Sequence, residues 1–191
     1  VVDFNSAAVR FGKPGILRIA PIGTTEPTST TTAWAAGWVP LGYTDEGSSF
    51  NYEISTENVE VAEELDVLAR VTTGRDASVE FALAEITKRN LNIAFNGGII
   101  AGDGLAWEFE PPDLGNEVRV MIGWDANPNV AANDLRIIFR RCLQGGSIGL
   151  ENRKGATKST ISASFQLEKP TDGKKLLKIL GGPTLNPDDV P

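Results

Sequence analysis

The chain has 191 residues and a mass of 20.4 kDa, with 41% hydrophobic and 23% charged residues, which excludes wholesale disorder and allows a core that needs no disulfide or metal. It carries 25 acidic and 18 basic residues, no histidine and one cysteine, so histidine-based triads, cysteine zinc clusters and an internal disulfide are all excluded. No run of 18 apolar residues occurs, so no membrane-spanning helix or membrane anchor is predicted.

In chain order, residues 1–14 read as an arm broken by Gly12 and Pro14. Residues 16–20 are a short strand closed by Pro21. Residues 23–33 are Thr, Ser and Pro with almost nothing apolar, so they offer no core element, and contacts with neighbouring chains are expected to hold them. Residues 38–43 read as a strand with Pro40 at an edge or bulge. Then Phe50, Tyr52 and Ile54 alternate with Asn51, Glu53 and Ser55, and Val59 and Val61 alternate with Glu60 and Ala62. The two alternations predict an antiparallel hairpin over 50–64, with one apolar and one polar face. Residues 67–73 are a weaker strand, and 75–84 alternate through Val79, Phe81 and Leu83.

The period then changes. Ile86, Leu91, Ile93, Ala94 and Phe95 predict a helix over 85–96, stopped by Asn96-Gly97-Gly98. Residues 105–110, 117–124, 134–143 and 158–169 read as further strands, 174–180 as a short terminal helix and 181–191 as a tail. The fold class is therefore mainly β: a sandwich or partial barrel with one flanking helix, in a single domain.

Charge is sorted along the chain. Residues 45–66 hold eight acids and no base, and the rest of the chain has 17 acids against 18 bases. Residues 136–178 hold ten bases against three acids. Unlike regions of this kind suit head-to-tail self-association, and equally two solvated faces. Arg136, Arg140, Arg141, Arg153 and Lys154 are the inter-subunit candidates.

Catalytic and ligand chemistry finds little support. Cys142 lies in an apolar strand and reads as a buried, inert thiol. Carboxylate pairs such as Glu53 and Glu57, or Glu60 and Glu64, sit among polar neighbours rather than in the apolar pocket a glycosidase acid requires. Asp125-Ala-Asn127-Pro-Asn129-Val130 mimics a calcium loop, but its sixth position is Val130 where glycine is needed. The glycines between 97 and 104 follow a helix rather than a strand, so they do not read as a dinucleotide loop. The four tryptophans read as core or interface anchors. No cofactor, no metal and no enzyme activity are expected.

From Pro40-Leu41-Gly42-Tyr43-Thr44-Asp45-Glu46-Gly47-Ser48-Ser49-Phe50 onward, the chain resembles the major tail protein of long non-contractile-tailed bacteriophages, the tail tube subunit. The resemblance continues through residues 57–61 and Thr73-Gly74-Arg75. It is strongest at Val79-Glu80-Phe81-Ala82-Leu83-Ala84-Glu85-Ile86-Thr87, then at Asn90-Leu91 and Ala94-Phe95-Asn96-Gly97-Gly98, and it covers about residues 38–125. It implies hexameric rings whose inner strands close into one continuous barrel, stacked into a hollow tube in the virion tail, with synthesis in the bacterial host's cytoplasm. DNA and a tape measure protein would occupy the lumen without sequence-specific binding, and tail tip and terminator proteins would cap the tube. On this reading Asn51, Glu53, Ser55, Glu57, Glu60 and Glu64 face the lumen, while Phe50, Tyr52, Ile54, Val59 and Val61 face the core. The arm 1–14, the loop 23–33 and the tail 181–191 would bridge rings. The alternatives are another phage structural protein, such as a head decoration or tail terminator protein, or a carbohydrate-binding sandwich.

Overall fold

A computed structural model describes residues 15–60, 66–102, 106–126, 135–151 and 159–182. The arm 1–14, Glu64, the turn 127–130, Arg153, Lys154 and most of the C-terminal tail lie outside these residues. In chain order the elements are β1 (Ile16–Pro21), β2 (Val39–Pro40), β3 (Thr44–Val59), β4 (Ala69–Leu83), α1 (Lys88–Ala94), β5 (Ile99–Ala101), β6 (Glu108–Glu110), β7 (Val120–Ala126), β8 (Leu135–Gln144), β9 (Gly149–Glu151), β10 (Thr160–Leu167) and β11 (Leu177–Gly181).

Nine strands form one antiparallel sheet, with the path β2-β1-β7-β8-β10-β4-β3, β11 added on β8 and β9 on β10. The sheet folds over at β8 and β10. These two share only the pairs Phe165–Gln144, Gln166–Leu143 and Leu167–Cys142. Beyond that corner β8 pairs with β11, and β10 pairs with β9. The result is a two-layer sandwich joined along one corner and not closed on itself. Period-2 burial follows: Leu17, Ile19, Ile122, Ile137 and Phe139 from one layer meet Val79, Phe81, Leu83, Ile161, Ala163 and Phe165 from the other in a single core. Phe81 stacks on Phe165 with ring centroids 5.6 Å apart. Cys142 is fully buried in that core, and burial pushes its thiol pKa well above the ordinary range.

The helix covers 88–94 and is shorter than the predicted 85–96. Thr87 caps it, its hydroxyl accepting the Asn90 N–H at 3.1 Å. Glu85 stays outside, its carboxylate accepting the Tyr43 N–H at 3.0 Å. Asn96, at φ 57°, ends the helix in the left-handed region and clamps β8: its Nδ2 donates to the Gln144 carbonyl at 2.8 Å, and its Oδ1 accepts the Gln144 N–H at 2.7 Å. Buried Asn90 ties the helix to β2's exit through Nδ2, which donates to the Leu41 carbonyl at 3.1 Å.

Four expectations are corrected. Residues 174–180 are not a helix: Leu177–Gly181 is strand β11, because β8 offers a free edge that takes it. The break between the two alternations, at 55–58, is not a turn. Thr44–Val59 is one strand that pairs through to Val59–Ala69 on β4. Residues 69–83 are likewise one strand rather than two. Finally, the loop 22–38 is held by its own chain. It lies over the outer face of the first layer, where Trp34 and Ala35 pack on Ala20, Trp38, Met121 and Ile138. Its carbonyls accept from that layer and from its own cover: Ser29 and Thr32 from Arg136 at 3.0 and 2.7 Å, Pro27 from Lys178 at 3.3 Å, and Thr25 from Trp38 at 2.9 Å.

Candidate functional site

The second layer turns its outer face to solvent, and that face is assembled from β3, β4 and β10. Register places Ser49 beside Glu80, Asn51 beside Ser78, and Glu53 beside Asp76. On the other side of β4, Ser164 lies beside Glu80 and Gln166 beside Ser78. Ser55 and Glu57 continue the same face along β3, opposite Gly74 and Val71. The Ser164 hydroxyl reaches the Glu80 carboxylate at 3.3 Å. Every charged residue at these positions is an acid.

The opposite face of the same two strands is different in kind. Phe50 pairs with Val79, Tyr52 with Ala77, Ile54 with Arg75 and Asn58 with Arg70. Both arginines of the hairpin thus stand on the apolar side and neither on the acidic side. Only the hairpin's base reaches the core. Phe50 packs against it, its ring 5.1 Å from that of Phe139. Tyr52 and Ile54 are exposed, and so is Val59, which the unbroken strand puts on the acidic face with Glu57. The expected burial of Tyr52, Ile54 and Val59 in the core is therefore overturned. Strict alternation over a 16-residue strand separates 50, 52 and 54 from 59.

Of the lumen candidates, Asn51, Glu53, Ser55 and Glu57 share one face. Glu60 lies one residue past the end of β3. The sequence reading omitted Ser78, Asp76 and Glu80, although they alternate with Val79 and Phe81, whose burial was recognised. Glu53 beside Asp76 is the notable pair. Like charges directly opposite across two strands oppose folding by a few tenths to about 1 kcal/mol.

The basic candidates have partners within the chain. Arg136 Nε donates to Asp125 Oδ1 at 2.6 Å, and both side chains are about nine-tenths buried. Arg140 forks onto Glu26 at 2.8 and 2.9 Å. Arg141 meets Glu168 at 2.7 Å, and Arg119 shares that carboxylate at 3.2 Å. Hydrogen bonds from Arg140 and Arg141 hold the carboxyls of Glu26 and Glu168 below the usual range. Within the chain these three arginines fasten the loop 22–38 and the β10 exit.

Residues 3–131 match the family described as phage tail tube protein. The chain belongs to the phage tail tube protein family. It is a structural component of a phage tail, and so of the virion. No curated protein matches the sequence of this tail tube protein. Among solved structures it is similar to a chain in the cryo-EM structure of the anti-feeding prophage baseplate, 6-fold symmetrised, at 8% identity and a TM-score of 0.41, over 91% of this chain and 96% of that one.

Proposed function

We propose that six copies of this tail tube protein close into a ring, that rings stack into the hollow tube of a long non-contractile tail, and that the β3–β4–β10 acidic face lines the lumen through which DNA passes. Family membership supports the tube. The observation that carries the lumen assignment is the sorting of charge across the hairpin, with Glu53 opposite Asp76 on one face and Arg70 and Arg75 on the other. A like-charged pair costs stability in the subunit and serves a wall facing phosphates. An acidic wall repels DNA, so it slides, whereas a basic wall would release counterions and bind it at every ring. The repulsion reaches about 8 Å at physiological salt, which suits a narrow lumen.

Among the described residues no strand pairs with β3 on the side away from β4, which supports ring closure, because a sheet edge of this length calls for a partner strand. Tape measure protein and DNA within the tube, and tip and terminator proteins at its ends, follow as partners. Negative-stain microscopy across a concentration series tests the assembly, with hollow tubes or stacked six-fold rings expected. The lumen assignment is tested by Glu53→Lys with Asp76 retained. This variant stabilises the isolated subunit by a few tenths to about 1 kcal/mol, by turning a repulsive cross-strand pair into an attractive one, and it slows DNA ejection from complemented phage. Tubes that form normally with unchanged ejection would remove the assignment.

A further inference from the structure

Asn96 and Gly97 form the one Asn-Gly pair in the sequence. An asparagine followed by glycine is the pair most open to loss of its amide, because glycine has no side chain to shield the backbone nitrogen that attacks the carboxamide carbon. Neither residue is freely exchanged here. Asn96 ends the helix at φ 57° and Gly97 follows at φ 109°, where an added Cβ would also lie 3.0 Å from Val118 Cγ2.

The folded chain holds the groups that this reaction has to move. The Gly97 N–H donates to the Asn92 carbonyl at 2.7 Å, and the Asn96 carbonyl accepts the Val118 N–H at 2.7 Å. The Asn96 carboxamide is fixed at both ends on Gln144 of β8, its Nδ2 2.8 Å from the Gln144 carbonyl and its Oδ1 2.7 Å from the Gln144 nitrogen. Gln144 is itself held. It is buried, it pairs with Phe165 at the corner where the two layers join, and its own Oε1 accepts the Ser164 N–H at 2.8 Å. Bringing the Asn96 carboxamide carbon onto the Gly97 nitrogen therefore requires the bond to Asn92 and both bonds to Gln144 to break.

We propose that Asn96 is a modification site gated by folding: its amide is hydrolysed in the unfolded chain, is kept in the folded one, and once lost disables the clamp on β8. In the unfolded chain the Gly97 nitrogen loses its proton and bonds to Asn96 Cγ. The Cγ–Nδ2 bond breaks, and the NH2 group leaves with that proton as ammonia. Water then opens the cyclic imide, giving aspartate, or isoaspartate with the main chain rerouted through the side chain. The net change consumes a water, releases an ammonia and needs no oxidant or reductant. Aspartate would set a carboxylate oxygen against the Gln144 carbonyl where Nδ2 now donates, so two acceptors would face each other at hydrogen-bond distance. Isoaspartate would lengthen the main chain between the helix end and Gly97 and carry the Gly97 N–H away from Asn92. Neither product rejoins the helix end to the corner of the sandwich, so the modification marks a chain that stayed unfolded.

The test uses the full-length protein, incubated in mildly alkaline buffer with and without unfolding urea. Samples are digested over days, and the peptide that holds Asn96 is followed by mass spectrometry, with isoaspartate resolved by chromatography. Amide loss should be about tenfold or more slower in the folded protein, because it waits for the clamp to open. After dilution from urea, the modified chains should be enriched in the fraction that a protease digests. In a second arm, Asn96→Asp should unfold at a lower urea midpoint than the parent at neutral pH. Equal rates of loss with and without urea overturn the gating, and so does a loss in urea that spares Asn96. Modified chains that resist the protease as the parent does, or an Asn96→Asp midpoint equal to the parent's, overturn the disabling of the clamp.

Discussion

Asp125→Ala should destabilise the subunit far more than a single surface carboxylate would. Asp125 is the hub that pins the loop 22–38. Its Oδ1 accepts from Arg136 Nε at 2.6 Å, and its Oδ2 accepts from Trp34 Nε1 at 2.7 Å and, at 3.5 Å, from Arg18 Nε. Arg136 in turn lies 4.5 Å from the Trp34 ring centroid and donates to the carbonyls of Ser29 and Thr32. The Arg136 side chain is 9% exposed, so deleting its acid leaves a guanidinium without a counter-charge and out of water. Breaking a buried pair from one side costs about 3–5 kcal/mol. For a domain of this size that is a drop of about 6–20 °C in melting temperature. Urea unfolding followed by tryptophan fluorescence measures it, and the native emission should shift to the red as Trp34 loses its cover. Asp125→Ala with Arg136→Met should cost less than Asp125→Ala alone, because the unpaired charge is then gone. A single-variant loss below about 1 kcal/mol, or two losses that simply add, would refute the argument that this pair is a buried fastening.

Stability should fall on acidification in a defined window. Glu26 and Glu168 sit below the ordinary 4.5 in the folded chain, so their pairs with Arg140 and Arg141 contribute above about pH 4.5 and are lost as pH falls through the lower folded values; Glu26→Gln with Glu168→Gln should flatten the urea midpoint between pH 5 and pH 3 by about that share. Asn90→Leu should cost about 1–3 kcal/mol in urea, because the carbonyls of Leu41 and Glu85 lose their donor, whereas Thr87→Ala should cost only about 1. Cys142 should be silent to a thiol reagent in the native subunit and react fully in denaturant; native reaction at the rate of a free thiol would place it at the surface.

The legible parts of the sequence are those where the chain buries one face on itself. Val79, Phe81 and Leu83, and Ile161, Ala163 and Phe165, alternate because each strand has core on one side and water on the other, and both strands are where the alternation puts them. The family resemblance was legible too, and the match over residues 3–131 bears out its phage tail tube part. The errors fall where burial by the chain's own core stops dictating the pattern. Past Tyr52 the hairpin is exposed on both faces, so the change of parity from Ile54 to Val59 was taken for a turn when it marks a strand with no core beneath it. Residues 174–180 are short enough to be expected as a helix, but Leu177 and Ile179 stand two apart, the period of a strand, and the edge of β8 takes them. The loop 23–33 looked unanchored because composition counts side chains. What holds it are its backbone carbonyls, which Arg136, Lys178 and Trp38 reach from elsewhere in the chain.

These departures share a direction. A subunit optimised to stand alone would cover Tyr52, Ile54 and Ile179, separate Glu53 from Asp76 and guard the outer edge of β3. The described residues do none of those things, yet the arginines at 136, 140 and 141 are each paired and the helix end is clamped in both directions by Asn96, with Trp124 Nε1 the buried side-chain polar atom left without a partner among them. On the proposed reading each of these features meets something outside the subunit: the β3 edge another strand, the exposed Tyr52, Ile54 and Ile179 a neighbour's apolar surface, and the row of acids a phosphate backbone. A monomeric sugar-binding sandwich accounts for none of the three. Repeated contact between copies around an acidic channel accounts for all of them, and it requires the hairpin to project from the core rather than pack against it.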